Sequence, residues 1–125
     1  MTMEPTDQEI YRLLYCLGIT ANYAGFFHLA HALRLCAEKP DRLLLVTKLV
    51  YPEVAKAYRT NWKAVERNIR TVTTAAWAQG QPEWEALAGR PLSRKPCTAQ
   101  LLALLTFALL SPHNIPLTQK TVPAE

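Results

Sequence analysis

The sequence predicts an all-α domain, compact and multi-helical, with a helix-turn-helix at about residues 53–79. Three observations carry this. Half of the 125 residues are hydrophobic, and they recur at helical rather than alternating spacing. Only four glycines are present, and the nine prolines cluster near helix boundaries and in the tails. The unbroken stretch from Thr47 to Gly80 carries two helical patterns joined by the polar turn Arg59-Thr60-Asn61.

Element by element, residues 1–6 read as a flexible lead. Asp7 is placed to cap a first helix through about Leu17, with Ile10, Leu13, Leu14 and Leu17 inward and Gly18 as its stop. A second helix runs from Ala21 or Asn22 to Ala37, burying Phe26, Leu29, Ala30, Leu33 and Cys36 or Ala37. Lys39-Pro40-Asp41 breaks the chain, with Asp41 as a cap, and a third helix covers Arg42 to Tyr51. Pro52 ends it and opens the next, Glu53 to Tyr58, which buries Val54, Ala55 and Tyr58. Thr60 or Asn61 caps a long helix from Trp62 to Gln79, and Gly80 stops it. Pro82-Glu83 opens a brief helix ending at Gly89. After the basic loop 90–96, Thr98 caps a last helix, Ala99 to Leu110. The single domain thus spans 7–111, and 112–125 form a flexible tail.

Charge is uneven. Between Arg42 and Arg70, seven cations face two carboxylates, a net +5, which leaves −1 for the rest of a chain whose total is +4. This window suits a polyanion, although an ordinary solvated face has the same composition. On the Trp62–Gln79 helix, Lys63, Glu66, Arg67 and Arg70 share one face, and Val65, Ile69, Val72 and Ala76 share the opposite one. The apolar stripe faces the core, and the polar stripe lies where a recognition helix meets the major groove of double-stranded DNA. Arginine forks match guanine O6 and N7, and a glutamate accepts from cytosine N4, so Glu66, Arg67 and Arg70 are the expected base readers. Lys48, Lys56, Arg59 and Lys63 suit phosphates, with Thr60 and Asn61 adding backbone contacts at the helix N-terminus. The competing reading is that Glu66 and Arg70 are only an i, i+4 surface pair.

Other features carry less. Cys16, Cys36 and Cys97 form no C-x-x-C pair, and Cys16 and Cys36 read as small core residues. His28 and His31 are spaced for a shared metal but lack a third ligand, so neither metal nor cofactor is expected. No nucleophile or phosphate-loop motif is present, and the chain does not read as an enzyme. The N-terminus does not read as a signal peptide, and the run Leu101–Leu110 is too short to span a bilayer, so a cytoplasmic protein with no membrane role is expected. In the last helix, Leu101, Leu104, Leu105 and Leu109 suit the core. Leu102, Phe107 and Leu110 remain to be covered by a second copy, a related regulator, the N-terminal helices or the tail.

The residues Thr47-Lys48, Tyr51-Pro52, Ala55-Lys56, Val65-Glu66-Arg67, Ile69-Arg70, Ala76-Trp77 and Gly80 together resemble the C-terminal effector domain of the stage-zero sporulation protein A family, the master sporulation response regulator. The likeness extends upstream through Leu17-Gly18-Ile19, Gly25 and Ala32, resumes at Lys95-Pro96 and the final helix, and spans roughly residues 10–110. It implies a helical domain that reads a short box in sporulation promoters, seated head-to-tail on adjacent boxes. It also implies base contacts from Glu66, Arg67 and Arg70. Three departures stand out. The family's phosphorylated receiver domain is not represented in the sequence. Trp62, Lys63 and Ala64 replace small and polar choices. The last helix is apolar nearly all round. They motivate the rival expectation of a protein-interaction module that pairs with a full-length regulator and tunes it.

Overall fold

In the computed structural model, residues 5–110 are described; residues 1–4 of the expected flexible lead and the tail 112–125 lie outside the described residues. The elements are α1 (Asp7–Cys16), α2 (Ala24–Glu38), a 3-10 segment (Pro40–Leu45), α3 (Val46–Leu49), α4 (Tyr51–Ala57), α5 (Trp62–Ala88) and α6 (Thr98–Leu110), with no strand among the described residues.

Helix α2 is the hub. Phe26, Leu29, Ala30, Leu33, Cys36 and Ala37 are all buried, and α2 packs against α1, α4, α5 and α6. The approach to α5 is close enough to require a glycine: a Cβ on Gly25 would run into the Asn68 carbonyl, 2.8 Å from its carbon and 2.9 Å from Val72 Cγ1. Burial pushes the Cys36 thiol up to about 11, as expected of a small core residue.

Several helix ends differ from the sequence expectation. The cap of α1 is Thr6 rather than Asp7. Thr6 Oγ1 accepts from the Glu9 amide (3.2 Å), and Glu9 Oε1 accepts from the Thr6 amide (2.8 Å), a reciprocal capping box. Asp7 instead accepts from Arg34 Nε on α2 at 3.1 Å. Helix α2 starts at Ala24, because Thr20 and Asn22 tie their side chains together in the preceding turn. Asp41 falls inside the first turn of the 3-10 segment, whose cap position is Lys39. The expected helix Arg42–Tyr51 is broken into that segment and the single turn α3. Its leucines do not form an inward stripe: Leu44, Leu45 and Leu49 are all exposed. The first break falls at Leu45 (φ −143, ψ 62) and a second at Val50 separates α3 from α4, where Pro52 occupies the first turn and its missing N–H costs nothing.

The largest correction concerns α5. Neither Gly80 nor Pro82 stops it. One helix of 27 residues runs from Trp62 to Ala88, about 40 Å at the α-helical rise, and includes the short helix expected after Pro82. Its far end is held by Trp84, which is 2% exposed and donates from Nε1 to the Leu17 carbonyl at 3.1 Å, with Trp77 packed edge-on at 5.3 Å. These tertiary anchors outweigh the local stop signals, each worth about 1–3 kcal/mol.

Helix α6 closes the core with Leu101, Leu102, Leu105 and Leu109. Leu102 is fully buried, so it is core and not partner surface, whereas Leu104 is only half-buried and Phe107 is 60% exposed. Its first residue is Thr98, which is therefore not the cap; Gln100 Oε1 accepts from the Cys97 amide at 3.2 Å instead.

Candidate nucleic-acid interface

Helices α4 and α5 and the turn 58–61 build the helix-turn-helix, which starts two residues before the expected 53–79 and whose second helix runs on to Ala88. Tyr51, Val54 and Ala55 bury the inner side of α4. Tyr58, expected inside, is half exposed. Its ring meets His28 (5.0 Å) and His31 (5.8 Å) edge-on, so it lids these histidines rather than entering the core. Burial lowers the pKa of both histidines, with the neighbouring imidazole adding to it at His28 and the Arg34 guanidinium at His31, so both favour the neutral form.

The turn is closed by main-chain geometry. The Thr60 amide donates to the Ala55 carbonyl (2.9 Å) and the Arg59 amide to the Lys56 carbonyl (3.4 Å), the paired bonds of a Schellman motif. That motif needs a left-handed residue between them, and Arg59 takes it at φ +56. Arg59 is thereby lifted to the outside of the turn. The Thr60 amide is used up inside the motif, so Thr60 offers an anion its hydroxyl and not its backbone. Asn61 caps α5: its Oδ1 accepts from the Ala64 amide at 2.9 Å, which leaves its NH₂ donors free by valence.

The two faces of α5 fall as the sequence predicts. Val65, Ile69, Val72 and Ala76 are buried on the α2 side. Arg67 and Arg70 are exposed, and Glu66 is half-buried. Arg70 Nη1 sits 3.1 Å from Glu66 Oε2, so two of the three expected base readers are paired with each other. Arg67 forms no ion pair or hydrogen bond among the described residues. Lys56, Arg59, Thr60, Asn61 and Lys63 gather around the turn and the first turn of α5, all exposed; Lys48 is exposed too but stands apart on α3. Lys63 Nζ lies over the Trp62 ring, 5.8 Å from its centroid.

The basic loop 90–96 was legible in the sequence, but the groove it lines was not. A groove of about 560 Å³ lies between the loop after α5 and α6, remote from the turn. The run Arg90-Pro-Leu-Ser-Arg-Lys95 was its only sequence signal.

None of the described helices is long and apolar enough to cross a membrane. The family model described as "Sporulation initiation factor Spo0A C terminal" matches residues 10–109, which is most of the chain and includes the whole helix-turn-helix. That family is a DNA-binding domain of a sporulation transcription regulator and not an enzyme family. An all-helical domain with a cationic, outward-facing α5 behind a capped turn fits it throughout, and the chain belongs to the Spo0A C-terminal family.

Proposed function

We propose that the chain is a sequence-specific DNA reader that places the first half of α5 in the major groove at sporulation-type promoter boxes. The observation that carries this reading is Arg67: an exposed guanidinium in the second turn of α5, opposite the buried stripe, with no protein partner to satisfy its donors. Arg67 reads a guanine directly. Glu66 and Arg70 read as a unit, because their ion pair must open or turn toward the bases together. Arg59, Lys56, Lys63 and Lys48 grip phosphates, with the Thr60 hydroxyl and Asn61 amide beside them. Trp62, half exposed at the first position of the helix, packs on a sugar next to that grip. Such a protein works on the nucleoid, in the cytoplasm.

Anisotropy of a dye-labelled duplex carrying the family's box, against a scrambled duplex and across a salt series, tests this. The expected result is tighter binding to the box and an affinity that falls steeply with salt. Equal affinity for both duplexes would remove the reading role of Arg67.

A second reading, pairing with a copy of itself or a related regulator, draws on the exposed Phe107 and the half-buried Leu110, which remain once Leu102 is placed in the core. If the purified chain shifts box DNA only when the regulator is added, that reading replaces the first.

A further inference from the structure

The groove beside α6 combines two features, an apolar floor and a cationic rim. Its floor is apolar: Ala103, Leu104 and Phe107 lie along one stripe of α6, and the Phe107 ring is largely open to solvent. Its rim is cationic: Arg90, Arg94 and Lys95 fall within six residues that contain no carboxylate. Arg90 and Arg94 form no ion pair or hydrogen bond among the described residues, and Lys95 Nζ reaches only the Pro96 carbonyl, at 3.5 Å. The rim is also preshaped. Glu85 Oε2 on α5 accepts from the Leu92 amide at 2.8 Å, and Pro91 and Pro96 stiffen either side of the loop.

Duplex DNA does not explain this surface. Arg67 and Ala88 are separated along α5 by about 30 Å at the helical rise, whereas the major groove is about 12 Å wide. A ligand that answers both features carries carboxylates beside bulky apolar side chains.

We propose that the groove between the 90–96 loop and α6 docks an acidic, amphipathic peptide segment of a partner protein. Its carboxylates pair with Arg90, Arg94 and Lys95, and its apolar side chains cover Phe107 and Leu104. The site is independent of the DNA-reading face and would stand if that reading failed.

The test uses the full chain. A random peptide display library is selected on the immobilised protein and counter-selected on the Arg90→Glu/Arg94→Glu variant. Enriched peptides should carry acidic residues next to Leu, Phe or Trp. Dye-labelled copies should lose about tenfold or more in affinity on that variant and on Phe107→Ala, and keep it on Arg67→Ala. Amide NMR shifts should fall between residues 90 and 107 and spare 62–70. All the substituted side chains are exposed; unchanged circular dichroism checks that every variant is folded, and unchanged box-DNA binding adds a second check for the Arg90→Glu/Arg94→Glu and Phe107→Ala variants. Enriched peptides without the acidic–apolar signature, or with equal affinity for the charge-reversed chain, would overturn the proposal. So would displacement of the peptide by box DNA with shifts in the 90–96 amides, which would make the loop a phosphate grip.

Discussion

Two helix ends in this molecule close in the same way with different residues. At the end of α1, the Ile19 amide donates to the Leu14 carbonyl (2.9 Å) and the Gly18 amide to the Tyr15 carbonyl (3.0 Å), with Gly18 at φ +86. At the end of α4 the same pair of bonds forms around Arg59 at φ +56, the single non-glycine with positive φ among the described residues. The first turn only redirects the chain, and glycine meets its backbone demand without cost. The second turn carries the proposed phosphate grip, and there an arginine holds a conformation that a Cβ disfavours by roughly 1–2 kcal/mol. The difference points to a role for the Arg59 side chain, in line with that proposal. It runs from an observed backbone outlier to a role for the residue that bears it.

The comparison can be broken most severely at a glycine that serves neither turn. Gly25 is required by space and not by φ. Gly25→Ala should cost about 3 kcal/mol, the upper end of overpacking penalties, because the obstacle is the backbone of α5. Urea denaturation reads the loss; a change below about 1 kcal/mol would mean that α2 and α5 slide apart freely. Next in size is an arginine whose backbone bears no strain. Arg67→Ala should remove about 2 kcal/mol of discrimination between box and scrambled duplex while leaving the melting temperature in place. Gly18→Ala should destabilise by roughly 1–2 kcal/mol through φ alone, since its Cβ would meet Ala76 Cβ at an ordinary 3.7 Å. Arg59→Gly should do the reverse, stabilising by about 1 kcal/mol and weakening all duplexes alike, with the salt slope reduced by about 1. If it left stability and salt slope untouched, the two turns would differ only by sequence drift. The smallest effect lies under the strained turn. His28 and His31 have folded pKa values below the ordinary histidine value of about 6.5. The unfolded chain therefore takes up protons first, and stability present above that pH is lost as pH falls below it. Tyr58, Arg34 and Glu53 also border this pair. His28→Leu should flatten the fall in melting temperature between pH 7 and pH 5.5; an unchanged slope would assign the effect elsewhere.

Legibility followed how local each cause was. The buried stripe of α5 and the inward residues of α1 and α2 were readable because 3.6-residue spacing sets both period and phase. The outward placement of Arg67 followed from the same spacing. Leu102 was misplaced because α6 is apolar nearly all round, so no polar side fixes its phase. The continuation of α5 past Gly80 was not legible, since the reason lies in a bond from Trp84 to a carbonyl 67 residues away. The left-handed Arg59 was hidden for the opposite reason: its usual signal is a glycine, and here none is present. The Glu66–Arg70 pair was foreseen only as the competing use of the same spacing.

The three tryptophans sit unequally along one rod. Trp62 opens α5 beside the cationic turn and is 38% exposed, whereas Trp77 and the fully enclosed Trp84 belong to its tethered half. The chain thus has an intrinsic optical gauge at each end of the same helix. Quenching of the red-shifted emission reports an occupant at the reading end, and the blue-shifted emission reports whether the far end is still clasped to α1. Undyed protein can therefore separate a ligand that binds from a condition that unfolds, in a single spectrum.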